Sequence, residues 1–233
     1  AGNRQGQFVR DTAYRSASEA TKVNVSIIRE KTSLLGGLRS RLNQSWVTAA
    51  AAMGLLLWSL PGSADANAKA NLILGEPLPP VTITEGGQVI LDGDGYSLAP
   101  WSWPGSSNKV QVLQYVAGTR KGGDLYDPMT ERMRRELDFD RYDITAVVNL
   151  EVTSAFVKPF VRSAVVDEQR IFTRATLVLD EQGIGQATWN LTQQAAFVVV
   201  DRKGLVVDVI LGAPSKADFE RSFQVLRNLI ASE

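Results

Sequence analysis

The stretch KVQVLQYVAG, residues 109–118, constrains the fold more than any other part of this chain. Apolar side chains fall on both parities of the run, so a strand built from it must be covered on both faces. That requirement points to an α/β layer arrangement with helices flanking the sheet. The residues that follow agree: Gly122 and Gly123 mark a turn, Asp127 is placed to cap a helix, and Pro128 suits its first position. Leu125, Met129, Met133 and Leu137 then recur every four residues, one apolar stripe in which the methionines read as core filler.

The pattern repeats along the body, from residue 71 to 233. LGEPLPPVTIT opens with three prolines that cannot sit inside a ladder and continues into a short strand near 81–84; GGQVIL and DGDGYSL supply turns and another short strand. YDITAVVNL reads as a second central strand, and TSAFVKPFVRSAVV as a helix interrupted at Pro159. ATLVLDEQG ends a third strand in a turn, and IGQATWNL forms a short helical excursion. AAFVVVDRKGLVVDVILG is a hairpin of two β-branched runs. The last helix has Ser215 as N-cap, with Phe219, Phe223, Leu226 and Ile230 on one face. The order is β-α-β-α-β-β-α after an N-terminal hairpin, which requires a mixed sheet.

Residues 1–70 form a separate region. They hold nine Lys/Arg against four Asp/Glu, which leaves 16 and 21 for the remainder out of 25 of each, a net of +5 ahead of a body of −5. Arg39 and Arg41 precede an uncharged run from Trp46 to Leu60, closed by Pro61 and followed by Ala64-Asp65-Ala66 and Ala66-Asn67-Ala68. Basic residues, an apolar segment and small residues in A-x-A spacing are the order of a secretory signal. Such a helix spans roughly 22 Å against a hydrocarbon core of about 30 Å, which favours a cleaved leader over a permanent span. The stretch ahead of Arg39 leaves an organellar leader and an uncleaved anchor open as well. Each reading puts the body beyond a membrane from the cytoplasm: periplasmic, otherwise extracytoplasmic, or in an organelle lumen. Residues 46–60 would provide the membrane contact if they are not removed.

The chain contains no cysteine and no histidine. This excludes thiol-disulfide exchange, thiol peroxidase chemistry, a Ser-His-Asp triad and an ordinary zinc site. No sequence feature calls for a metal or a cofactor. The acidic body, without a sustained basic helix face, argues against nucleic acid as a partner.

The order LPPVTIT, KVQVLQYVAG, DRYDITAVVN, FVRS and AAFVVVDRKGLV, across residues 75–232, resembles the YtfJ family of bacterial periplasmic proteins within the thioredoxin-like superfamily. The resemblance implies a thioredoxin-like mixed sheet flanked by helices, exported from the cytoplasm. It also implies two addresses. The loop Thr119, Arg120, Lys121, Gly122, Gly123, Asp124 stands where a redox-active relative carries its attacking thiolate. Ala195, six residues before Asp201, stands where such relatives place a cis-proline, and a non-proline residue there takes a trans bond.

At the loop, Arg120 and Lys121 beside two glycines read either as an anion site or as a solvated turn. Asp180 and Asp201 lie at strand ends, where a short carboxylate that bonds nearby backbone is favoured. Asp138, Asp140 and Asp143 lack the spacing of a calcium loop and read as a solvated connection. Trp101 and Trp103 in PWSWP are either an exposed pair for a protein contact or a packed loop at a sheet edge, and Trp189 is a further candidate contact. Arg162 in FVRS pairs with a core carboxylate or with a ligand. Together these features point to a non-redox protein- or peptide-binding accessory domain. The alternative is an enzyme or anion-binding protein that uses Arg120, Lys121 and carboxylates at the former thiol site.

Overall fold

A computed structural model describes residues 70–105, 107–192 and 194–232. The apolar run 46–60 and the A-x-A sites lie outside the described residues, and among the described residues no helix is long and apolar enough to cross a membrane. Seven strands form one mixed sheet: β1 (Val81–Asp92), β2 (Gly95–Trp103), β3 (Val110–Ala117), β4 (Tyr142–Asn149), β5 (Thr176–Asp180), β6 (Ala196–Val200) and β7 (Val206–Leu211), in the spatial order β2-β1-β5-β4-β3-β6-β7. The pairs β3·β4 and β4·β5 are parallel, and the others are antiparallel. Helices α1 (Arg120–Gly123), α2 (Asp127–Glu136), α3 (Lys158–Ile171), α4 (Ile184–Trp189) and α5 (Lys216–Ala231) fill the connections.

Alternation along the strands assigns the two faces. Val110, Val112 and Val116 of β3 meet Met129 and Met133 of α2 and Phe223, Leu226 and Ile230 of α5, while Leu177 and Leu179 of β5 meet Val165 and Val166 of α3. Leu113, Tyr115, Val147 and Val178 point the opposite way, into a cluster with Trp189 of α4 and with Trp101 and Trp103 of β2. Each fully buried large apolar side chain contributes roughly 1.5–3 kcal/mol, so both faces are needed.

Three local expectations are corrected. The strand at 81–84 and the one after it are a single 12-residue strand, β1, whose pairing with β2 slips between Ile83 and Gln88. Gly86 and Gly87 sit in that bulge at φ +94° and +87°; a Cβ on them would lie 2.2 Å from the Leu179 carbonyl oxygen and 2.1 Å from that of Ala99. The bulge shifts the side-chain parity, so Val81 and Ile83 face one core cluster and Val89 another. Second, Tyr126 occupies the cap position of α2 and Asp127 is already helical, so the Asp127 side chain does not cap it. Third, Pro159 starts α3 instead of interrupting it, because its missing N–H falls in the first turn, where no intrahelical acceptor exists.

Candidate functional site

The parallel strands β3, β4 and β5 end at Ala117, Asn149 and Asp180, and the loops that follow them share one end of the sheet. Gly118 crosses that end tightly. Its N–H donates to the Asn149 carbonyl at 2.7 Å, and the Thr153 hydroxyl donates to the Gly118 carbonyl at 2.7 Å. A Cβ on Gly118 would come within 2.8 Å of both Asn149 and Thr153, so the close approach requires glycine.

The loop 119–124 is a single helical turn. Thr119 is its N-cap, and its hydroxyl accepts the Gly122 N–H at 3.2 Å. A Cβ on Gly122 would lie 2.0 Å from the Ala117 carbonyl oxygen. Arg120, Lys121 and Asp124 are exposed, and neither cation makes an ion pair among the described residues. The position is therefore held by a hydroxyl capping a turn, with two free cations after it.

Asp180 is fully buried at the end of β5. It accepts the Tyr115 hydroxyl at 2.9 Å and the N–H groups of Ile184 and Gly185 at 2.9 and 2.8 Å, which fixes the start of α4. Burial, reinforced by Asp180, drives the Tyr115 hydroxyl well above its ordinary pKa, so it stays a donor. Asn149, also fully buried, donates to the Gln186 carboxamide at 2.7 Å and accepts the Glu151 N–H at 2.9 Å. Asp201 accepts the N–H groups of Lys203 and Leu205. These carboxyls organise backbone, and no cluster of acids that could hold a metal ion occurs among the described residues.

The tryptophans are placed in the core. Trp101 and Trp103 are 8% and 5% exposed, on a strand and not in a loop, which removes the reading of them as an exposed contact pair. Trp189 is buried, donates its indole N–H to the Pro79 carbonyl at 2.9 Å, and meets Tyr115 edge-on at 5.7 Å. Arg162 pairs with Glu181, which also holds Lys158 at 3.5 Å; the Glu181 side chain is 17% exposed. Ala195 is buried, and the cis bond among the described residues is Trp103–Pro104.

The aromatic surface lies elsewhere. Phe156 and Phe160 are 73% and 63% exposed, with ring centroids 6.5 Å apart, and exposed Val157 lies between them in sequence. They flank the start of α3, three to seven residues beyond the Thr153 that bonds Gly118. In the sequence the signal is AFVKPF, apolar side chains set around a helix-starting proline.

The family model described as "Bacterial protein of unknown function (YtfJ_HI0045)" matches residues 72–229. The chain belongs to this family. Among curated YtfJ relatives, "Uncharacterized protein YtfJ" of Escherichia coli (strain K12) is 28% identical over 67% of this chain and 86% of its own length. An "Uncharacterized protein" of Haemophilus influenzae is 24% identical over 68% and 88% respectively. Among solved structures, a chain provisionally described as Thiol:disulfide interchange protein DsbE from Chlorobium tepidum superposes with a TM-score of 0.51 at 16% identity, covering 69% of this chain and all of that one. That likeness concerns the fold: the YtfJ-family chain described here is thioredoxin-like.

Proposed function

We propose that this chain is a non-redox thioredoxin-like accessory protein, acting outside the cytoplasm, that binds a protein or peptide at the end of the sheet where β3, β4 and β5 terminate. The observation that carries the reading is the exposed Phe156–Val157–Phe160 surface, joined through the Thr153–Gly118 hydrogen bond to a turn whose Arg120 and Lys121 make no ion pair among the described residues. A few side chains that become buried at the centre of a contact, aromatic residues and arginine foremost, supply most of its binding energy. Exposed cations on the turn that this hydrogen bond joins to the surface favour a segment that carries both apolar and acidic residues. The ends of parallel strands in open α/β sheets are also where such folds place ligands. A chain without cysteine cannot perform the thiol exchange of redox-active relatives. The extracytoplasmic assignment rests on the basic, apolar and A-x-A order of residues 39–68.

The test is cross-linking and affinity capture with the full chain, its apolar segment intact, from an extracytoplasmic fraction. A specific partner should be recovered with the unsubstituted protein, lost with Phe156→Ser/Phe160→Ser, and weakened with Arg120→Ala/Lys121→Ala. Equal recovery by all three, or no reproducible partner, would overturn the reading.

A further inference from the structure

We propose that Glu181 is a positioning residue of the candidate binding surface: its carboxylate clamps the first turn of α3 and so holds Phe156 and Phe160 in their exposed places. The consequence for binding rests on the reading above, whereas the clamp itself is a property of the fold. The start of α3 needs such a device. Val157 stands at its N-cap position with no side-chain hydrogen bond, and no acid lies in its first turn. Lys158 instead puts a cation at the positive end of the helix dipole, which is unfavourable. The turn hangs on two carbonyls: that of Ser154 accepts from Val157 and Lys158 at 2.8 and 3.1 Å, and that of Val157 accepts from Phe160 and Val161 at 3.0 and 3.2 Å.

Glu181 reaches this turn from the end of β5, next to Asp180, whose three bonds fix the backbone there. Its N–H donates to the Glu85 carbonyl of β1 at 3.3 Å, and its γ-carbon lies over Gly86, where an added Cβ would stand 3.1 Å away. The glycine of the bulge thus leaves the room that this side chain crosses. One carboxylate oxygen takes Lys158 at 3.5 Å and the other takes Arg162, and no other acid pairs with either cation among the described residues. Lys158 and Arg162 are four residues apart, on one face of α3. Phe160, midway between them, is turned about 200° from each. A clamp on the first face therefore presents the Phe160 ring to solvent, beside the Phe156 ring one turn earlier. The same carboxylate supplies the negative charge that the uncapped helix start lacks.

Hydrogen exchange of the full chain, followed by mass spectrometry over the start of α3, tests the clamp without any partner. At low salt, Glu181→Gln should speed exchange at Phe160 and Val161 about two- to fivefold, with the capped start of α5 unaffected. Salt at about 1 M, which shortens the screening length to about 3 Å, should do the same to the unsubstituted protein and nothing further to the variant. In a Lys158→Gln/Arg162→Gln background, Glu181→Gln should leave exchange unaltered. If Glu181→Gln does not fold, the salt response of the unsubstituted protein decides. Exchange indifferent to both Glu181→Gln and salt, or an equal effect of Glu181→Gln without the two cations, would overturn the clamp. Affinity capture reads its consequence: recovery of the partner should be weakened by Glu181→Gln, and equal recovery would show that Glu181 does not position the surface. Failure to capture any partner counts against the binding reading and leaves the exchange result to stand for the clamp.

Discussion

Asp180 has no exposed surface and serves three donors, so its oxygens cannot be exchanged for donors without leaving N–H or O–H groups unpaired. Asp180→Asn is expected to destabilise the chain by about 1–3 kcal/mol, read as a lower urea midpoint at unchanged slope; a loss below that of Tyr115→Phe would contradict this. A strand-end aspartate before a turn is visible in the sequence, but its tie to Tyr115, 65 residues away, exists only once β3 and β5 lie near each other in the sheet. The same holds for Trp101 and Trp103, whose burial depends on which face of β2 they occupy. Glu168 presents a second residue-scale consequence. Burial first, then the nearby Asp127 carboxyl, pushes Glu168 from 4.5 up to about 7. Burial also raises Asp127 to about 6, although much of that residue faces solvent, so Glu168 is the better reporter. A carboxyl with a raised folded pKa binds its proton more tightly in the folded state, so stability falls as pH rises through the window from about 4.5 to 7. Glu168→Gln should stabilise the chain at pH 8 by on the order of 1–2 kcal/mol after solvent screening, and by little at pH 4. Thermal melts across that range check it, and an equal gain at both ends would refute the coupling.

Helix α5 shows what an element needs beyond its apolar face. Ser215 and Asp218 form a reciprocal capping box, and buried Asp208 on β7 receives Arg221 Nε at 3.0 Å and the Ser222 hydroxyl. Ser215→Ala should therefore cost about 1 kcal/mol, visible in the melting curve and as faster amide exchange in the first turn of α5. Unaltered exchange there would show that the cap contributes nothing. This cap was legible, because Ser-x-x-Asp ahead of an apolar period is a local signal. The starts of α2 and α3 were less so: both carry proline early, and whether proline begins or interrupts a helix depends on which carbonyls lie upstream. The β1 bulge was also hidden, since Gly86-Gly87 reads equally as a turn or as two residues pressed between the carbonyls of Leu179 and Ala99. At the candidate site, the loop 119–124 could be located from the strand before it and the helix after it. The exposure of Phe156 and Phe160 could not, because AFVKPF has the composition of a core segment.

All seven strands, and the three apolar clusters they organise, lie within residues 70–232, and residues 64–233 form one unit of the chain. The clusters are not independent. Val148 and Ala175 pack against two of them, on the same side of the sheet, while β3 and β6 contribute alternate side chains to both faces. Separating any layer would therefore expose apolar surface on a strand whose other side is still packed, and so disfavour partial unfolding. The first described residues are tied in as well: Asn71 donates to the Trp189 carbonyl at 3.0 Å, and Gly75 to that of Val206 at 2.8 Å. It follows that residues 70–233 expressed alone should fold and unfold in one cooperative step. The calorimetric and van't Hoff enthalpies should agree, at about 0.7 kcal/mol per residue near 60 °C. Two resolved transitions, one carrying the tryptophan signal of the β2 side and the other the helical signal of α2, α3 and α5, would mean that the faces melt separately.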